Sequence, residues 1–292
     1  MIPGGDNLTA ANESYNWTIP DNMTVTQAAL IKIEDSENST LNDTSNATFS
    51  IIPDINVLHP ETQSDVLIAE EGYEISWSAK GDMENVTLEY STDTGGNWSY
   101  VNPAMHDVPN TGTYDWASVN GTALSKNCLI KVSYPANTSF NNTSNATFPI
   151  RGELTLTRPV EADENWRISG TYEITWESKG NMQYVDVYYY NGTGYTKLNT
   201  DNVPASDHSW NWTINSSTIT SNQAKISINY TADAANVSSI STNPFTVSKL
   251  MLTAPNGGNN WKANQTYEIT WQAANISMVN LSYSIDGGGW VN

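Results

Sequence analysis

The chain has 292 residues, with 12 Lys plus Arg against 31 Asp plus Glu and a formal net charge of −19 at pH 7. Such a polyanion is repelled by nucleic acid and by anionic membrane surfaces, which removes both as partners. A single cysteine, Cys128, rules out an intrachain disulfide, so packing must rest on the 11 Trp and 15 Tyr.

In chain order, residues 1–52 hold seven asparagines, Asn7, Asn12, Asn16, Asn22, Asn38, Asn42 and Asn46, each heading an Asn-x-Ser/Thr sequon, with Trp17 and Phe49 as apolar landmarks. A strand ending at Pro60 comes next, then Tyr73-Glu74-Ile75-Ser76-Trp77, Val86-Thr87-Leu88-Glu89-Tyr90 and a Gly-rich turn. A strand around Trp116, the run Leu129-Ile130-Lys131-Val132 and a closing strand at Phe148 complete the set. Apolar and polar residues alternate along these runs, which is the period-2 signal of half-buried strands, and no stretch reads as helix.

The same order restarts at Pro159 with Tyr172-Glu173-Ile174-Thr175-Trp176 and Val185-Asp186-Val187-Tyr188-Tyr189, then Trp212, Ala224-Lys225-Ile226-Ser227-Ile228 and Phe245. It begins a third time at Pro255, with Tyr267-Glu268-Ile269-Thr270-Trp271 and Tyr283. The three tyrosines that open the pentapeptide are 99 and 95 residues apart, so one module of roughly 97 residues repeats. About seven short strands per module predict an all-β chain of tandem immunoglobulin-like or fibronectin III-like seven-stranded β-sandwiches. Closing strands run into opening strands without a Gly/Ser-rich spacer, as in Phe148-Pro149-Ile150-Arg151-Gly152, which predicts a rod-like array.

Phasing the chain against this period divides it into a C-terminal half-module (1–52), complete modules at 53–151 and 152–248, and an N-terminal half-module (249–292). A half-module exposes apolar strand faces. Two readings follow: the chain is a segment of a longer array, or the half-module at one end is completed by the other half of the next copy, head to tail, building an open filament.

Of the 36 asparagines, 22 head sequons. Beyond the seven above, these are Asn85, Asn97, Asn120, Asn137, Asn141, Asn142, Asn145, Asn191, Asn211, Asn215, Asn229, Asn236, Asn264, Asn275 and Asn280. Ser and Thr make up about a fifth of the chain, so chance supplies ~8 sequons, and the excess points to covalent N-glycans and an extracellular or cell-surface setting. The clusters at Asn38–Asn46 and Asn137–Asn145 fall in what reads as a polar loop bearing sugars. No apolar run reaches the ~20 residues of a membrane-spanning helix, so no direct membrane insertion is expected in this segment, and any export signal or anchor lies outside it.

The succession of Pro, Gly-x-x-Trp, Tyr-Glu-Ile-Thr-Trp, an alternating strand, Gly-Gly-x-Trp, a later Trp and a final Asn-Pro-Phe or Ala-Thr-Phe strand resembles the Ser-Thr-rich GPI-anchored membrane protein repeat. That module is similar to the N-terminal part of yeast cell-wall glucan-assembly proteins and recurs in prokaryotic surface proteins. Leu252-Thr253-Ala254-Pro255-Asn256-Gly257-Gly258-Asn259-Asn260-Trp261 is the best match, Trp166 is its counterpart, and Leu67 stands where the first whole module would carry Trp. The resemblance implies an extracellular β-sandwich and defines no activity; GPI anchoring is not implied.

Chemical motifs are sparse. Ser91-Thr92-Asp93-Thr94-Gly95-Gly96-Asn97-Trp98 matches the Asp-box pattern, read as a structural turn, with a shorter version at Ser284–Trp290. His59, His106 and His208 have no Ser, Cys or metal-ligand partner at a recognisable spacing, and Cys128 sits in an apolar run as a small buried hydrophobe. Loop acids such as Asp163-Glu164 and Glu70-Glu71 keep Ca²⁺ open as a ligand, without EF-hand spacing, and no other cofactor is expected. Trp98, Trp290, Tyr188 and Tyr190 offer rings on which sugars can stack. The reading is a non-enzymatic structural repeat protein of an extracellular filament, sheath or surface layer, with copies of itself as partner. An adhesin or carbohydrate-binding stalk and an accessory region of a polysaccharide-degrading enzyme are the alternatives.

Overall fold

The computed structural model describes residues 2–291. Strands dominate, and the helical pieces among the described residues are short 3-10 turns at Ala10–Asn12 and Ala205–Asp207. The chain divides into two compact units, one ending at Arg151 and one starting at Gly152.

In the first unit, Tyr73–Lys80 runs between Asp54–His59 and Thr113–Trp116 as a three-stranded antiparallel sheet. A larger sheet places Asp107–Pro109, Asn85–Ser91, Ser125–Tyr134 and Phe148–Arg151 side by side, and Leu67–Ile68 adds to its edge in parallel. Strand alternation decides what meets between the sheets: Val86, Leu88 and Tyr90 turn inward while Asn85 and Glu89 turn out. These side chains join Ile55, Val57, Ile75, Trp77, Ile130, Val132 and Phe148 in one core, each contributing about 1.5–3 kcal/mol by leaving water. The result is a β-sandwich of the immunoglobulin/fibronectin III-like type.

Ahead of this sandwich, Thr26–Ala29 pairs with Phe49–Ile51 and Lys32–Glu34 with Asn42–Thr44. The segment is anchored through Gly81, whose amide donates to the Asp21 carbonyl at 2.6 Å. Gly81 has φ +104°, and a Cβ there would stand 2.8 Å from Val25 Cγ2, so the close approach requires glycine.

The second unit repeats the plan. Its three-stranded sheet places Thr171–Lys179 between Glu153–Arg158 and Ser209–Thr213. Asn165–Arg167, Phe245–Ala254, Ser221–Tyr230, Tyr184–Tyr190 and Tyr195–Lys197 lie in that order in the larger sheet. Ile174, Trp176, Val185, Val187, Tyr189, Trp212, Ile226, Ile228 and Phe245 are buried between the two. Trp166 occupies the position of Leu67, stacked on Tyr172 at 4.8 Å and tilted against Phe245 at 4.5 Å. The Phe245–Ala254 strand continues past this sandwich, and its second half pairs with Thr270–Ala274.

Two stretches depart from the sequence reading. Residues 137–143, expected as a polar loop, form a strand paired with Ser125–Tyr134, with Val132 opposite Asn142 and Ser133 opposite Asn141. Asn42–Thr44, in the other polar cluster, does the same against Lys32–Glu34. Backbone hydrogen bonds hold these ladders, so they form without the apolar alternation that announces a strand.

Candidate functional site

Among the described residues, none of the 22 sequon asparagines is buried: Asn137, Asn142, Asn191 and Asn229 are half-exposed and the others exposed. Strand alternation produces this beside the core tryptophans, since Asn211 faces out while Trp212 is buried. Five sequons close the same local turn. Asn38 Oδ1 accepts from the Thr40 amide and hydroxyl at 3.2 and 2.7 Å, and Asn120, Asn137, Asn191 and Asn215 repeat it with Thr122, Ser139, Thr193 and Ser217. This is the Asx turn that suits Asn to a chain reversal at the surface. In other sequons the acceptor nitrogen already donates: Asn97 Nδ2 to Asp93 at 2.6 Å, Asn236 Nδ2 to Asp233 at 2.8 Å and Asn145 Nδ2 to Glu61.

Asn142 has a structural task that its sequon conceals. Its Oδ1 accepts from the Val57 amide at 2.9 Å, joining the hairpin to the opposite sheet. Ser239 Oγ does the same for the Leu156 amide at 2.9 Å in the second unit. The recurrence of a short polar residue at this point of the period was the available signal.

The Asp-box segment is a turn. Asp93 Oδ1 accepts from the Ser91 hydroxyl and the Asn97 amide at 2.7 and 2.8 Å, and Gly95 takes φ +90°. The bonds donated by Asn97 and Ser91 hold the exposed Asp93 carboxyl down at about 2. Trp98 beside it is already covered, with Lys131 Nζ 4.2 Å above the ring and bonded at 2.7 Å to Glu89. Tyr190 is packed against Tyr195 at 4.9 Å. Trp290, at the shorter turn, stays exposed.

The three histidines have separate surroundings. His106 stacks on Tyr100 at 3.8 Å, His59 Nδ1 lies 3.6 Å from Asp65, and His208 follows the 3-10 turn Ala205–Asp207. Glu164 accepts from Trp166 Nε1 at 2.8 Å. Among the described residues no group of three or more His, Cys, Asp or Glu could hold a metal ion. Cys128 is fully buried and its thiol is pushed up to about 11 by burial. A depression of about 230 Å³ beside Asp201, Asp207 and Trp210 falls below the ~300–1,000 Å³ of ligand pockets.

Large exposed apolar side chains concentrate at residues 249–291 and 2–52. Ile174 and Trp176 are 0% and 2% exposed, whereas their repeat counterparts Ile269 and Trp271 are 38% and 40% exposed. Val132 is 0% exposed, and Ile33, 99 positions earlier, 72%. Leu250, Leu252, Trp261, Leu30 and Ile31 are likewise exposed. Single exposed apolar residues are ordinary; here several positions whose repeat counterparts are buried are open together.

No family model matches the chain, and no curated protein matches it. Among solved structures, it is similar to the fibronectin(III)-like modules of Clostridium thermocellum CbhA, at 14% identity over 67% of this chain and 93% of that one, with a TM-score of 0.23. A titin I-band fragment matches at 10% identity, 68% and 67% coverage and a TM-score of 0.29. A Dscam structure matches at 10% identity over 73% of this chain and 52% of that one, with a TM-score of 0.30. At these scores the likenesses carry no argument about this chain; the fold assignment rests on the paired sheets described above.

Proposed function

We propose that this chain is a non-enzymatic structural repeat of an extracellular filament, sheath or surface layer, N-glycosylated at its sequon asparagines and assembled head to tail with copies of itself. In this reading residues 1–52 and 249–292 are complementary half-modules, 53–151 and 152–248 are whole ones, and the module is of the Ser-Thr-rich GPI-anchored repeat type. The observation that carries it is the contrast between apolar core positions open in both half-modules and sequons that avoid the cores. Hydrated glycans at such density would shield the protein and cover sheet edges that otherwise invite aggregation.

The adhesin reading has less support, because Lys131 occupies the face of Trp98 on which a sugar would stack. No helix among the described residues is long and apolar enough to cross a membrane. Electron microscopy of native material, with glycopeptide mass spectrometry on the same sample, tests the proposal. Periodic fibres with occupied sequons are the expected result; dispersed, unmodified monomers would overturn it.

A further inference from the structure

Each half-module holds part of the ladders of the whole ones. Leu252 pairs with Trp271 and Leu250 with Ala273, as Leu156 pairs with Trp176 and Leu154 with Ser178. Trp261 stacks on Tyr267 at 4.9 Å as Trp166 stacks on Tyr172 at 4.8 Å. The Lys262 amide reaches Tyr267 Oη at 2.9 Å, as the Arg167 amide reaches Tyr172 Oη at 2.9 Å. In the other half, Ala29 pairs with Phe49 and Ile33 with Asp43, matching Cys128 with Phe148 and Val132 with Asn142. The Ile31 amide donates to Ser45 Oγ at 3.1 Å, as the Ile130 amide donates to Ser144 Oγ at 3.2 Å.

What each half lacks is what the other displays. In the whole modules Tyr73 lies opposite Trp116 and Glu74 opposite Asp115, with Tyr172–Trp212 and Glu173–Asn211 as their equivalents. Across the larger sheet Tyr90 lies opposite Ile130, Glu89 opposite Lys131 and Leu88 opposite Val132, with Tyr189–Ile226, Tyr188–Ser227 and Val187–Ile228 as equivalents.

Resting on the head-to-tail reading, we propose that residues 249–291 of one copy are completed by residues 2–52 of a second copy in these registers. On one sheet Tyr267 meets Trp17, Glu268 meets Asn16 and Ile269 meets Tyr15. On the other Tyr283 meets Ile31, Ser282 meets Lys32 and Leu281 meets Ile33. Trp261 then fills the seam between Trp17 and Phe49, as Trp166 does between Trp212 and Phe245 at 6.1 and 4.5 Å. A one-residue slip would turn every one of these apolar side chains to solvent, so the register is specified.

The sequons allow this closure. Asn12, Asn16, Asn42 and Asn46 correspond to Thr111, Asp115, Asn141 and Asn145, all exposed in the first whole module. Asn280 differs: its counterparts Thr87 and Asp186 are buried and half-buried, but both alternate with inward-facing valines, so a sugar there lies against the outer face of the larger sheet and not in the seam.

The 292-residue chain carrying Asn16→Cys, mixed with the same chain carrying Glu268→Cys under mild oxidation, tests the register on a non-reducing gel. Directly opposite positions have the Cβ separation a disulfide needs, and Gln272→Cys, four residues along the same face, does not, so the in-register pair should cross-link about tenfold faster. Lys32→Cys with Ser282→Cys repeats the test on the other sheet. Oligomers without that preference would overturn the register and leave self-assembly standing. Chains that stay monomeric by light scattering and never cross-link would overturn both.

Discussion

The strands Thr171–Lys179 and Thr270–Ala274 carry one sequence pattern and one ladder register, yet Trp176 is buried and Trp271 is not. Pairing with the preceding strand is local, decided by alternation and a turn. Burial needs strands that arrive later in the chain, Ser209–Thr213 and Ser221–Tyr230 for Trp176. The difference separates what a strand pair can form alone from what only a closed sandwich stabilises.

Truncation of the two tryptophans gives the largest contrast. Trp176→Ala removes a buried ring and its Nε1 bond to the Ala205 carbonyl and should cost ~3–5 kcal/mol. Trp271→Ala in the monomeric chain should cost under ~1 kcal/mol. Urea unfolding followed by circular dichroism reads both; equal losses would erase the contrast.

Thiol chemistry sharpens it next. With its thiol near 11 rather than 9.0, Cys128 should alkylate at pH 8 about a hundredfold more slowly than an unperturbed thiol. A cysteine placed at its half-exposed counterpart, Ala29→Cys, should react freely, and mass spectrometry of alkylated peptides distinguishes the two.

A smaller difference is expected at the ion pairs. Lys131→Met leaves Glu89 unpaired and uncovers Trp98, at ~1–2 kcal/mol. Lys32, the counterpart of Lys131, is paired with Glu34 in a more exposed setting, and its removal should cost less than ~0.5 kcal/mol. Thermal melts of the two variants at low salt make the comparison.

The smallest effect is a pH dependence. Asp93 has a folded-state value of about 2 against 3.8, so its contribution to the Ser91–Trp98 turn is present above pH ~4 and is lost as pH falls through about 2. A carbon-detected NMR titration of the Asp93 carboxyl checks the midpoint; one near 3.8 would mean the turn is not held by its Ser91 and Asn97 bonds.

The core strands were legible because Val86, Leu88, Tyr90, Ile174 and Trp176 alternate with polar residues and recur with the period. The 137–143 strand was not, since Asn, Thr and Ser leave no apolar period and its ladder is made by backbone groups. Nor was the Oδ1 bond of Asn142 to Val57, which joins residues 85 positions apart. For the candidate site, the pentapeptide repeat already aligned Ile269 with Ile174; that one is exposed and the other buried depends on strands from elsewhere in the chain, which a local motif does not carry.

The Phe245–Ala254 strand serves two ladders end to end, with Ser221–Tyr230 along its first half and Thr270–Ala274 along its second. Antiparallel hydrogen bonds lie perpendicular to the strand axis. Tension applied along this strand therefore loads the bonds of each ladder in shear, together, rather than opening them one at a time from an end. A fibre that passed its load through such strands would resist pulling far better than it resists peeling.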